Sequence, residues 1–155
     1  MLIFKNEVQG IALWDNLVEE VHQSCDVLYQ GISQDIIVSI SMYPLDKLRG
    51  KKGITSYSTP IEVHIFVDSF ITKEHMYIKW FQRVLCHEFA HVHQMINNEY
   101  IIIPEDNYLL CYKGIKYTYQ ELSEIVTGIQ PCPWELDADE HGKALYNQYF
   151  RGEII

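Results

Sequence analysis

The sequence predicts an α+β domain, and three features carry that expectation. Apolar residues recur at alternating steps of three and four between residues 11 and 30, two β-branched extended runs follow, and the stretch from Lys73 to Asn97 contains neither glycine nor proline. Together they describe a small mixed or antiparallel sheet packed on a long helix, with another helix at the C-terminal end. A chain of 155 residues has the size of one domain with one core. No repeat, low-complexity tract or linker divides it, so residues 1–155 are read as a single domain.

In the first helix Ile11, Trp14, Val18, Val21, Cys25 and Leu28 share one face, and Gly31 is placed to end it as a left-handed residue. Asp35 to Met42 is β-branched and apolar, which suits a buried strand. Pro44 opens a polar loop containing Gly50, Lys51, Lys52 and Gly53. From Ile61 to Asp68, Ile61, Val63, Ile65 and Val67 alternate with Glu62, His64, Phe66 and Asp68, the mark of a strand with one polar face. That alternation suggests an accessible sheet edge where an extended peptide can pair, although a solvated, unused edge fits equally well.

Asp68 to Thr72 supplies capping residues for the long helix, expected from about Lys73 to Asn97. Beyond it, EYIIIPEDNYLLCYKGIKYTY reads as a short strand and then a hairpin turning at Lys113–Gly114. Thr118 and Glu121 have the spacing of a capping box before a short helix that Gly128 ends. Pro133 suits the first turn of a final helix running from Trp134 to Tyr149, because its missing N–H costs nothing there.

Composition narrows the function. Apolar residues make up 48% and charged residues 21%, as in an ordinary soluble globular protein. Twelve Lys and Arg against twenty-one Asp and Glu leave a net charge of −9, which repels phosphate backbones and argues against nucleic acid. No window approaches the roughly 18 apolar residues of a membrane span. The N-terminal stretch lacks a basic segment followed by a sustained apolar one, so a cytoplasmic address is expected. Cys25, Cys86, Cys111 and Cys132 are widely spaced and form no C-x-x-C pair, so they are expected to stay thiols. Nothing in the sequence indicates the oligomeric state.

The chemistry-bearing segment is Cys86-His87-Glu88-Phe89-Ala90-His91. Residues four apart on an α-helix differ by about 40° around the axis, so His87 and His91 point the same way one turn apart and can share one zinc ion. Glu88 lies about 60° beyond His91, where a carboxylate reaches a water at the site without ligating. A helix carrying stacked surface histidines would share this spacing. A catalytic zinc usually takes a third protein ligand, and Pro133-Trp134-Glu135-Leu136-Asp137-Ala138-Asp139-Glu140-His141 lies downstream. There Glu135 and Asp139 share a helix face, and Ala138 beside them lets two helices approach. Glu135 also suits a first-turn position on the macrodipole alone. Asp137, Asp139 and Glu140 are rival ligands, but Asp137 points to a different face and Asp139 sits one turn further along.

An H-E-x-x-H helix followed by a second helix bearing a glutamate and, four residues on, an aspartate resembles the gluzincin pattern, in the minimal form of phage-type and ImmA/IrrE-type metallopeptidases. The resemblance covers roughly residues 75 to 145 and implies a zincin-like fold. It implies His87, His91 and Glu135 as zinc ligands, Glu88 as general base, and Asp139 as the carboxylate that orients a ligand histidine through its other ring nitrogen. Glu135 follows His91 by 44 positions, which is long for that pattern. The reaction it implies is hydrolysis of a peptide bond in a peptide or protein substrate.

Other residues invite weaker readings. His93 lies about 240° from His87 around the helix and faces away. Cys86 is expected to pack inward, and Cys132 is near enough to Glu135 to compete as a ligand. Trp80 and Val84 lie near the histidine face as packing residues. His141, Tyr146 and Tyr149 are potential oxyanion donors. Peptide deformylases share the His-Glu spacing, but their upstream cysteine segment has no counterpart before His87. A metal-binding sensor or scaffold with little turnover is the remaining alternative, and it has no need of Glu88.

Overall fold

A computed structural model describes residues 1–8, 12–42, 52–67, 78–103 and 105–150, with the side chains of 12–16 excepted. Within them the chain forms β1 (Leu2–Asn6), α1 (Ala12–Tyr29), β2 (Ile36–Ser41), β3 (Gly53–Ser56), β4 (Ile61–Phe66) and α2 (Ile78–Ile96). Then follow β5 (Tyr100–Ile102), β6 (Leu110–Tyr112), β7 (Ile115–Tyr117), α3 (Tyr119–Val126) and α4 (Pro133–Tyr149). The architecture is mixed α+β, as expected. One sheet is mixed, in the order β1-β2-β4-β3, and the other is antiparallel, β5-β6-β7.

In the mixed sheet β1, β2 and β4 run parallel and β3 pairs antiparallel with β4, Thr55 opposite Val63. Helix α1 makes the connection from β1 to β2, as a parallel pair requires. Val21, Cys25 and Leu28 of α1 meet Ile36, Val38 and Ile40 of β2, Val63 and Ile65 of β4, and Phe81, Leu85, Phe89 and Val92 of α2 in one buried cluster. Over Val18, Val21, Cys25 and Leu28 the apolar face of the first helix does what its periodicity foretells, while Ile11 and the Trp14 side chain lie outside the described residues, and Gly31 follows the helix at φ +80.

Two strands escape the sequence reading. β1 occupies the N-terminal stretch, and β3 begins at Gly53, which had been assigned to the polar loop. The expected edge strand also needs correction. β4 lies between β2 and β3 and is no edge. Its alternation reports one polar face, where the Glu62 carboxylate lies 3.2 Å from the His64 ring. Alternation senses which face meets water, whereas edge position depends on strand order, and among the described residues the edge strand on this side is β3. The expected caps at Asp68 to Thr72, the helix start near Lys73 and the loop at Pro44 lie outside the described residues.

The second half follows its local signals closely. Lys113 (φ 48) and Gly114 (φ 81) turn the β6–β7 hairpin with two left-handed residues. The capping box is present, Thr118 Oγ1 accepting from the Glu121 amide at 3.2 Å and Glu121 Oε1 accepting from the Thr118 amide at 3.3 Å. Pro133 opens α4 in its first turn. All four cysteines are free thiols. No helix among the described residues is long and apolar enough to cross a membrane.

Candidate metal centre

Two helices build the site, and a glycine sets how closely they cross. A Cβ on Gly142 would stand 3.0 Å from His87 Cα and 3.1 Å from its backbone nitrogen. Ala138, four residues earlier on the same face, is fully buried. The helices run antiparallel, so successive turns of α4 place Glu135 between His87 and His91, Asp139 at His87, and Tyr146 under Arg83. The spacer between the two motifs anchors this crossing. The Tyr100, Tyr112 and Tyr117 rings meet Trp134 edge-on at 5.8, 5.8 and 5.5 Å, holding the residue next to Glu135.

Glu135 offers one oxygen to each imidazole, Oε2 at 3.2 Å from His87 Nε2 and Oε1 at 3.1 Å from His91 Nε2. Zinc–ligand bonds of 2.0–2.1 Å in tetrahedral geometry separate donor atoms by about 3.3 Å, so these spacings suit one ion. Among the described residues, His87, His91 and Glu135 are the group of His, Cys, Asp and Glu whose donor atoms lie close enough, within 4.8 Å of one another, to hold a metal.

The other ring nitrogens are also held. Asp139 Oδ1 lies 3.0 Å from His87 Nδ1. Gln94 Oε1 lies 3.0 Å from His91 Nδ1, and Gln94 Nε2 donates to the Trp134 carbonyl at 2.8 Å. Because that carbonyl can only accept, the Gln94 oxygen must face His91, whose Nδ1 then carries the proton. Tyr112 extends the chain, accepting from Gln94 Nε2 at 3.3 Å and donating to Asp137 Oδ2 at 2.6 Å. With each Nδ1 so engaged, both rings turn Nε2 toward Glu135, the nitrogen that metal ligation would use. These residues fit a divalent cation.

The electrostatics point the same way. Hydrogen bonds from His87 and His91 hold the Glu135 carboxyl far below its usual range. The His87 pKa is raised, chiefly by its bond to Glu135. His91 is also raised, because Glu135 and Gln94 outweigh the burial that pulls it down. The pocket favours positive charge at the very atoms that would face an ion.

Glu88 sits beside this group, only 5% exposed. Its Oε2 accepts from Thr55 Oγ1 at 2.6 Å, and burial pushes its pKa up while Thr55 restrains the rise. A Cβ on Gly53 would stand 3.0 Å from Glu88 Cγ, from its Oε1 and from the His64 carbonyl, so β3 lies directly against this carboxylate. The residues open onto a cleft of about 820 Å³ whose floor is α2 and whose rim includes Gly53, Ile54 and Thr55 of edge strand β3.

The structure sorts the other candidates. Asp137 is taken by Tyr112 and, at 3.0 Å, by Lys113, while exposed Glu140 lines a separate cavity, so neither competes with Glu135. Asp139 meets His87 at Nδ1, away from the Glu135 side of the ring. His93 does face away, its Nδ1 2.8 Å from His141 Nε2 in that other cavity, which removes His141 as an oxyanion donor. Tyr146 and Tyr149 do not line the cleft either; Tyr100 does. Trp80 and Val84 both pack on the core and line the cleft. Cys86 is buried, its thiol pushed up to about 12 by burial. Cys132 caps α4, and burial pushes its thiol up to about 11, which disfavours the thiolate a metal would need.

Thr55, Gly53, Gln94, Gly142 and Tyr100 escaped the sequence reading. Gln94 alone had a local signal, since it follows His91 by three residues on the same helix. Comparison of the chain with known protein families, curated proteins and solved structures finds no match.

Proposed function

We propose that the chain is a zinc-dependent peptidase of gluzincin type with a zincin-like fold. The observation that carries this reading is Glu88, a buried carboxylate held by Thr55 beside a three-donor metal group. His87, His91 and Glu135 would hold the ion. When bound, zinc polarises a scissile carbonyl and makes water more acidic.

The chain's own residues supply the rest. Thr55 holds Oε2 of Glu88 and leaves Oε1 to take a proton from the attacking water. Burial raises the basicity of that carboxylate, which favours the transfer at neutral pH. As the C–N bond breaks, the same proton passes from Glu88 to the leaving amine, giving a carboxylate and an amine. Asp139 and Gln94 keep the two rings from rotating. Among the described residues β3 is an edge strand along the cleft, which suits an extended peptide whose backbone can pair with it. A module that only binds metal has no use for a carboxylate so oriented, which favours turnover over the sensor alternative.

The test is metal analysis combined with Glu88→Gln. The expected result is one zinc per chain in both proteins, with cleavage of an unstructured peptide library by the wild type alone. Purified protein that takes up no zinc, or zinc-loaded wild type that cuts nothing in the library, overturns the reading.

A further inference from the structure

Arg83 stands one helical turn before His87, about 6 Å along the axis of α2, and opens into the cleft of the metal group. It also lines an adjoining cavity of about 650 Å³ that His87 and Asp139 share with Lys79 and Lys143. Lys52, just before β3, lines the cleft on its opposite wall. On a chain of net charge −9, four of twelve basic side chains therefore line the cleft or the cavity that adjoins it.

None of the four forms an ion pair among the described residues, whereas Lys113 and Lys116 elsewhere each close on a carboxylate at 3.0 Å. Two are held by aromatic faces instead, Lys52 Nζ 5.2 Å from the centre of a Trp80 ring and Arg83 Cζ 5.2 Å from that of Tyr146. A ring face positions a cation without neutralising its charge. The nearby acid, Asp139, is engaged by His87. Among the described residues, this basic wall of the cleft and its adjoining cavity is thus a set of cations, two of them positioned by rings, lacking an anion.

We infer that it is a carboxylate-binding subsite, which directs the enzyme to peptides with an acidic group close to the bond to be cut. The inference rests on the peptidase reading and names its substrate class. An extended peptide advances about 3.3 Å per residue, so the 6 Å offset puts the acid roughly one to three residues from the scissile bond. The carboxylate can be an Asp or Glu side chain or the peptide's C-terminus. A guanidinium takes it in a two-point contact that lysine cannot reproduce.

The test uses the zinc-loaded full chain and matched peptides with Glu or Gln at one, two or three residues from the cut, each as free acid and as C-terminal amide. The wild type should favour an acidic member over its neutral match by about five- to tenfold in kcat/KM, as expected for a few partly exposed charge contacts. The preference should shrink with added salt and fall toward unity in Arg83→Ala. A Glu/Gln difference that survives amidation assigns the side chain; an acid/amide difference without it assigns the C-terminus. The second readout is binding of the same peptides to Glu88→Gln by fluorescence anisotropy, which needs no turnover. Equal cleavage and equal binding of all members, or a preference unmoved by both salt and Arg83→Ala, overturns the subsite. Discrimination in binding without cleavage by the wild type leaves the subsite standing and overturns the peptidase reading.

Discussion

Gly142→Ala isolates the helix crossing on which the site depends. One methyl would stand 3.0 Å from His87 Cα, 3.1 Å from its nitrogen and 3.3 Å from the Cys86 carbonyl carbon, all backbone atoms that cannot swing aside. Restoring ordinary contact near 3.6 Å needs a separation of about 0.6 Å between α2 and α4. Two effects then oppose each other. Alanine in a helix interior gains about 1 kcal/mol over glycine, whereas forcing a methylene into a packed interface costs about 1–3 kcal/mol. The net effect on the metal-free protein is a loss between about zero and 2 kcal/mol, measurable by urea denaturation in chelator. The candidate metal group feels the shift more sharply, because Glu135 and the Asp139 carboxylate that holds His87 ride on the helix that moves and such sites tolerate only about 0.5 Å. Zinc affinity, measured by competition with a chromophoric chelator, should fall about tenfold or more, in the range seen when groups supporting a metal ligand are disturbed. A variant more stable by about 1 kcal/mol, with zinc affinity unchanged, would show that propensity alone operates and that the crossing does not set the ligand geometry.

Other outcomes follow from the same contacts. Gln94→Met keeps the volume but loses both hydrogen-bonding groups, so zinc affinity should drop about 10- to 100-fold in the same competition assay. Thr55→Val removes the bond that lowers the Glu88 pKa, so the acid limb of kcat/KM should move to higher pH, with a several-fold loss at pH 6 that shrinks toward pH 8. Removal of metal should matter more as pH rises. Raised histidines stabilise the native state below their ordinary 6.5 and lose that contribution as pH climbs through their folded values. The depressed Glu135 carboxyl contributes above its ordinary 4.5 and fails only in strong acid. Protons and zinc compete for the same nitrogens, so the gap in Tm between zinc-saturated and chelated protein should widen from pH 5 to 8; a constant gap contradicts the assignment.

Local signals made much of the molecule legible. The period of α1, the β-branched run of β2, the Lys113–Gly114 turn, the Thr118–Glu121 box and Pro133 each act within a few residues, and each stands in the fold as read. The His87–Glu88–His91 spacing belongs to that class, because four residues on a helix are one turn whatever surrounds them. β1 and β3 were not legible. β1 is a short, half-exposed strand in a stretch without clear alternation, and β3 opens on a glycine within a polar segment, where propensity argues against a strand.

What the sequence determined by itself is a pair of imidazoles on one helix face and an acidic helix far downstream. The placing of Glu135, read from helix face and resemblance, against both imidazoles rests on the crossing of α2 and α4, with Gly142, Ala138 and the tyrosines that grip Trp134. Thr55 meets Glu88, 33 positions away, only because β3 lies at the sheet edge beside α2. Such contacts have no period or spacing along the chain. They arise when separate elements bury a common core, and that packing decides which side chains share a site.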